Sequence, residues 1–197
     1  MDHPAPHPTP FQPRKAILFA GHRLDEPGRS PARFPARHER AAAARIASAL
    51  ARLDAGPHDL ALTQGAAGGD LLFGEACRAR GVPLQLLLPL PEARFIAVSL
   101  RPSSDGADWE RRYFALKAAL PWPPRVMPPA TGDPFEACNR WLLDTALASG
   151  AELHLVCLWN GQEGSGPGDT AHLVREVRRC GGAVVWIDSR SLQADRR

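Results

Sequence analysis

Residues 59–88 read DLALTQGAAGGDLLFGEACRARGVPLQLLL, and this stretch decides the fold. An apolar strand is predicted over 59–63, and it runs into a glycine-rich loop. A helix is predicted over 70–80, and Gly81 is placed to end it. A second apolar strand follows over 84–88. Neither strand alternates polar and apolar residues, which is typical of parallel strands covered on both faces.

The same alternation of strand and helix continues on both sides of this stretch. Further strands are predicted over 15–20, 152–159 and 183–187, and further helices over 35–53, 91–100, 108–119, 133–148 and 169–180. Residues 121–129 hold too many prolines for a central strand, so at most 125–127 forms a short edge strand. This order predicts an α/β fold: a doubly wound, Rossmann-like parallel sheet of about five strands with helices on both faces.

The length of 197 residues favours a single domain. Residues 1–13 carry five prolines and little to bury, so we interpret them as a disordered leader. The domain itself is predicted over 14–188. Residues 189–197 are polar and are expected to form a flexible tail.

Composition excludes several classes of protein. The formal net charge is only +3 and no dense basic run is interleaved with aromatic residues, so nucleic acid is not the favoured partner. The N-terminus lacks the apolar segment of a signal peptide, and no apolar run is long enough to cross a membrane. We therefore expect a cytoplasmic protein without a membrane partner. The four cysteines form no CxxC pair, and no metal site or cofactor is predicted.

Three strand ends carry the residues expected to bind a ligand. Gly21, His22 and Arg23 follow the first strand, and QGAAGGD follows the second at 64–70. NGQEGSGPGDT follows the long strand at 160–170. In a parallel sheet these ends meet at one edge. Glycines let backbone N–H groups approach a phosphate closely, and helix N-termini add unpaired donors.

Each of these residues also has a purely structural interpretation. A glycine-rich loop is often just a tight turn, and Asp70 could simply cap its helix. His22 fits a hydrogen-bonded turn residue better than a catalytic base. Arg23 could contact a phosphate in a bidentate manner or remain solvated. Asn139 could hydrogen-bond a base or ribose, or be a polar residue on a helix surface. The Walker pattern and the GxGxxG fingerprint are both absent.

Three motifs together resemble the SLOG superfamily, which joins the LOG phosphoribohydrolases and the DNA-processing proteins of the DprA type. They are GHR at 21–23, TQGAAGGDLLFGEA at 63–76 and LVCLWNGQEGSGPGDTAHLV at 155–174. The resemblance implies a Rossmannoid fold and a nucleotide-derived ligand. It places these residues at the site, with Arg23 approaching from the first loop: Gly65, Gly68, Gly69, Asp70, Gly166, Gly168 and Thr170.

The sequence departs from the family pattern at three positions. Asn160 stands where the related loop usually has aspartate, and Asp169 where it usually has glycine. Leu173 stands where LOG enzymes carry their catalytic glutamate. Glu75 and Glu176 are the remaining carboxylate candidates if the protein is an enzyme.

These observations favour a binding module that senses a nucleotide or an NAD-derived molecule without catalysis of its own. The first alternative is a nucleoside 5′-monophosphate phosphoribohydrolase, and the second is DprA-like binding of nucleic acid. Because the LOG glutamate is missing, the sensor is preferred over the hydrolase. The sequence leaves open the identity of the ligand and whether the chain forms a homo-oligomer.

Overall fold

A single sheet organises the computed structural model, which describes residues 11–162 and 170–192. Every strand pairing in it is parallel. The six strands lie in the order β4-β3-β2-β1-β5-β6. They are β1 Lys15–Gly21, β2 Leu60–Thr63, β3 Leu84–Leu88, β4 Arg125–Val126, β5 Glu152–Trp159 and β6 Ala183–Asp188.

Six α-helices connect these strands within the described residues. They are α1 Glu39–Arg52, α2 Gly69–Ala79, α3 Glu92–Ser99, α4 Gly106–Lys117, α5 Pro134–Ala148 and α6 Thr170–Arg179. The start of α5 shows how the sequence sets a boundary. The Asp133 carboxylate accepts from the N–H groups of Phe135 and Glu136, and Pro134 occupies the first turn, where no backbone donor is needed.

The central strand β1 packs against helices on both of its faces. Its Ile17 and Phe19 side chains join the core that contains the buried side chains of α1 and α2. Ala16, Leu18 and Ala20 alternate with them and join a second core with α5 and α6. This arrangement explains why β1 is apolar throughout, and it confirms the predicted doubly wound fold.

Two details differ from the sequence prediction. The helix expected from residue 35 begins at Glu39, because Ala36–His38 forms a separate 3-10 turn. The sheet has six strands rather than about five, because Arg125–Val126 pairs with the end of β3. That strand is only two residues long, as expected for a segment between prolines.

The chain remains packed beyond the predicted boundary at residue 188. Ser189–Ser191 forms a 3-10 turn capped by the Asp188 carboxylate, and Leu192 is buried. Residues 189–192 therefore belong to the domain and not to a flexible tail. The predicted leader up to residue 10 and the tail from 193 lie outside the described residues. Within the described chain, no helix is long and apolar enough to span a bilayer.

Candidate functional site

A cleft of about 570 Å³ opens at the carboxyl ends of β1 and β5. These neighbouring strands mark the point where the chain order reverses, since β2, β3 and β4 lie on one side of β1 and β5 and β6 on the other. Ligands of open α/β sheets bind at such switch points. The predicted site residues that border the cleft are Gly21, His22, Arg23, Asp70, Asn139, Asn160 and Thr170.

His22 ties the loop after β1 to the loop after β5. The Asn160 N–H donates to His22 Nε2 at 3.2 Å, and the His22 N–H donates to the Leu158 carbonyl at 2.9 Å. Burial, reinforced by the charge of Arg33, lowers the pKa of His22 to about 4. The ring is therefore neutral at physiological pH and serves as a hydrogen-bond acceptor between the two loops.

Asp70 braces the glycine-rich loop that precedes α2. Its Oδ2 accepts from the backbone N–H groups of Gly65 and Ala66, each at 3.1 Å. Burial raises the pKa of this carboxyl group to about 7, although the two backbone donors favour the charged form. Of the described side chains that border the cleft, Asp70 alone is acidic.

Two further N–H groups of this loop are also engaged within the protein. The Ala67 N–H donates to the Ser99 carbonyl at 3.0 Å, and the Gly69 N–H donates to the His22 carbonyl at 3.3 Å. The glycines of this loop were predicted to let backbone N–H groups approach a phosphate. In the structure the N–H groups of Gly65, Ala66, Ala67 and Gly69 instead hold the loop against its neighbours.

The glycines of the loop are required by close packing. A Cβ on Gly68 would lie 2.6 Å from the Leu24 nitrogen, and Gly68 has a φ of +94°. A Cβ on Gly69 would lie 2.8 Å from the Phe19 ring. Gly65 has a φ of +92° and faces side chains of the core. Gln64, Ala66 and Asp70 of this segment border the cleft. Gly65, Gly68 and Gly69 are not among the residues that line it.

Two arginines border the cleft, and they differ in availability. Arg23 donates through Nη1 to the Val98 carbonyl and through Nη2 to Glu26 at 2.8 Å, so its guanidinium is already engaged. Arg33 has no hydrogen-bond or ion-pair partner for its guanidinium within the described chain. Sequence reasoning missed Arg33, and its position on the loop that follows β1 was the available signal.

Aromatic rings and amides form another part of the wall. Phe135 and Trp159 border the cleft, and Gln64 Nε2 donates to Asn139 Oδ1 at 2.8 Å across it. Asn139 is only 7% exposed, which fixes its amide in place. The amide of Asn160 bonds to Gln162. Asn139 and Asn160 thus lie at one site, although they are far apart in sequence.

Only part of the loop that precedes α6 lies within the described residues. Gly166, Gly168 and Asp169 lie outside the described residues, whereas Thr170 begins α6 and borders the cleft. Leu173 is buried in the core beneath that helix. In this place it can neither donate nor accept a proton.

The two glutamates considered for catalysis lie elsewhere. Both carboxylate oxygens of Glu75 bind the Arg112 guanidinium, at 2.8 and 2.7 Å. Glu176 pairs with Arg179 on the exposed surface of α6 at 2.7 Å. Neither glutamate borders the cleft. The structure therefore removes both as candidates.

Comparisons with known proteins identify no family for this chain. No family model matches the sequence, and no curated protein matches it. The chain is similar to the solved structure of DNA processing protein A (DprA) from Streptococcus pneumoniae, with 12% identity and a TM-score of 0.41. The match covers 94% of this chain and 62% of that chain. A likeness at this level carries no information about ligand or activity.

The class of the protein follows from its own architecture. A parallel sheet with helices on both faces and a cleft at its switch point defines a doubly wound, Rossmann-like α/β domain.

Proposed function

We propose that this domain binds a nucleotide-derived small molecule in the switch-point cleft and acts as a sensor of that molecule. The observation that carries the proposal is the composition of the cleft wall. It combines an arginine without a partner in the described chain, two aromatic rings and a fixed pair of side-chain amides. Its volume of about 570 Å³ lies within the range of small-molecule sites.

Each part of the wall matches one part of a nucleotide. Aromatic faces such as those of Phe135 and Trp159 stack on bases of any sequence. Amides such as Asn139 and Gln64 hydrogen-bond base edges or ribose hydroxyls. An arginine fork fits phosphate oxygens.

One observation favours the alternative of a nucleotide hydrolase. The carboxyl group of Asp70 borders the cleft and titrates near neutral pH, which is the property required of a general acid or base. Its two backbone donors argue for the structural role, because they occupy Oδ2. Sensor and hydrolase therefore differ in a single measurable property, turnover.

Binding can be tested by thermal unfolding with AMP, ADP-ribose, cyclic ADP-ribose and NAD. A ligand at 100 times its dissociation constant stabilises the folded state by about 2.7 kcal/mol. Chromatography of the same mixtures detects turnover. Stabilisation without product supports the sensor, and product formation that is lost in Asp70→Asn supports the hydrolase. If no member of the panel stabilises the protein, the proposed function is wrong.

A matched pair of phenylalanine variants locates the binding. Phe135 borders the cleft, whereas Phe114 is 45% exposed on α4 and does not border it. We expect Phe135→Ala to weaken binding of the stabilising nucleotide about tenfold, since stacking contributes about 1–3 kcal/mol per base. Phe114→Ala should leave the affinity unchanged. Equal effects of the two substitutions would place the ligand elsewhere.

A further inference from the structure

The cleft requires a source of positive charge other than the loop at 64–70. Its N–H groups at Gly65, Ala66, Ala67 and Gly69 all donate to oxygens of the protein. An anion at these groups would have to break bonds that hold the loop in place. The side chains of the described wall are another source of donors.

Arg33 is held at the cleft by its backbone, while its side chain is left available. The buried Asp25 carboxylate accepts from the N–H groups of Arg33 at 2.9 Å and Phe34 at 3.0 Å. Phe34 itself is fully buried, so the chain is anchored next to Arg33. Arg33 borders the cleft from this fixed point, and the residue is exposed.

The positive charge around Arg33 is only partly balanced. Burial and the charges of Arg29 and Arg23 lower the pKa of Arg33, and Asp25 opposes them. Asp25 already faces Arg29 at 3.4 Å, and Arg23 is paired with Glu26. A bound anion would supply the missing negative charge at Arg33.

Ser99 contributes a second donor at the same cleft. The residue ends α3 and borders the cleft, but it is only 1% exposed. Its hydroxyl oxygen is buried and has no hydrogen-bond partner in the described chain. A buried polar group without a partner is costly and rare in native structures. An oxygen atom of a ligand in the cleft would satisfy it.

We infer that Arg33 and the Ser99 hydroxyl form the anion subsite of the cleft and hold a phosphate group of the ligand. This inference rests on the proposed function, and it assigns the phosphate to side chains rather than to the loop at 64–70. A phosphate fits the pair because it accepts two parallel N–H bonds from a guanidinium and leaves oxygens for a hydroxyl donor. The subsite therefore selects phosphorylated compounds over their unphosphorylated analogues.

The test compares AMP with adenosine, which lacks the phosphate. Affinities for the wild type and for Arg33→Gln are measured by calorimetry, with inorganic phosphate followed by NMR as a further probe. We expect Arg33→Gln to weaken AMP binding about 10- to 100-fold, the range for a hydrogen bond to a charged group. Adenosine should bind the two proteins equally, and inorganic phosphate should lose its site in the variant.

Arg37→Gln is the matched control, because Arg37 is exposed, lies four residues further along in the Ala36–His38 3-10 turn and does not border the cleft. It removes the same charge and should change AMP affinity by less than about twofold, through weak long-range electrostatics alone. Equal losses in Arg33→Gln and Arg37→Gln would overturn the subsite. So would an equal loss of AMP and adenosine in Arg33→Gln.

Ser99→Ala separates a binding role from a structural one. The substitution removes a buried hydroxyl without a partner, so the melting temperature should stay the same or rise. AMP affinity should fall several-fold. A lower melting temperature with unchanged AMP affinity would remove Ser99 from the subsite. If the wild type binds neither AMP, inorganic phosphate nor the nucleotide panel, the proposed function fails together with the subsite, whereas wild-type binding that is insensitive to Arg33 overturns the subsite alone.

Discussion

The loops that follow β1 and β2 lie side by side but differ in what they offer a ligand. The loop at 64–68 is rich in glycine, and the N–H groups of Gly65, Ala66 and Ala67 are bonded within the protein. The loop at 22–34 is rich in arginine and proline, and it presents the one cleft guanidinium that lacks a partner in the described chain. Glycine content here marks close packing, whereas the chemically available group lies in the less regular loop.

The loop at 64–68, the inner loop, supports the loop at 22–34, the outer loop. The Leu24 N–H donates to the Ala67 carbonyl at 3.1 Å, and Arg23 forms an isolated antiparallel bridge with Gly68. This contact requires the close approach that only glycine allows at position 68. The division of roles between the two loops can be tested with substitutions that disrupt the contacts of each loop separately.

The largest effect is expected from Gly68→Ala. The new Cβ would lie 2.6 Å from the Leu24 nitrogen, and the backbone angles of φ 94° and ψ −124° are unfavourable for any other residue. We expect the free energy of unfolding to fall by about 3 kcal/mol or more, as measured by urea denaturation. Gly69→Val, which meets the Phe19 ring, should also destabilise the fold rather than merely block a ligand.

Gly56→Ala is the control for that experiment. A Cβ at Gly56 meets no atom within 4 Å, and its φ is not in the left-handed region. The variant should be as stable as the wild type or slightly more stable. If Gly68→Ala were equally harmless, the loop at 64–68 would not be the rigid support described here.

A smaller effect is expected when the outer loop loses its anchor. Asp25 is 7% exposed and accepts two backbone N–H groups, so Asp25→Ala should cost about 2 kcal/mol. Hydrogen exchange at the Phe34 amide should become faster. Asp25→Asn keeps an oxygen acceptor and should restore most of the protection. Unchanged exchange in Asp25→Ala would show that the loop is held by other contacts.

The smallest effect is a difference in pH dependence between the two loops. The pKa of Asp70 is raised from 3.8 to about 7, so its contribution to stability is present below pH 3.8 and is lost as the pH rises through 7. The pKa of His22 is lowered from 6.5 to about 4, so its contribution is present above pH 6.5 and is lost as the pH falls through 4. The loops therefore respond to acid in opposite directions.

Melting temperatures of Asp70→Asn and His22→Gln between pH 4.5 and 8 measure this difference. Relative to the wild type, Asp70→Asn should lose stability on acidification, because it lacks the group that gains from protonation. His22→Gln should gain relative stability at low pH. Parallel profiles for the wild type and both variants would show that neither group titrates in the range described.

The sequence predicted the sheet well because its strands are buried on both faces. β3 and β5 have the predicted bounds. The glycines after β2 were predicted to admit a phosphate, with a tight turn as the alternative, and a glycine that admits a phosphate and one that admits a neighbouring backbone leave the same pattern. Only the position of Leu24 beside Gly68 distinguishes the two.

The site was predicted less completely than the sheet. Arg33 has no periodicity to identify it, because it lies in an irregular loop anchored by Asp25. Glu75 fitted a catalytic role in the sequence, but its partner Arg112 lies on a different helix and turns it away from the cleft. Contacts of this kind depend on how helices pack, which local sequence patterns do not encode.

The pairing of β1 with β5 has a consequence for biosynthesis. His22 and its partner Asn160 are 138 residues apart. At about 5–20 residues per second, a ribosome needs about 7–28 s to make the intervening chain. During that interval β1 has one unpaired, apolar edge, which is the feature of a nascent chain that invites aggregation. The nascent chain is therefore expected to be prone to aggregation during synthesis, and the cleft between the loops after β1 and β5 cannot form until β5 has left the exit tunnel.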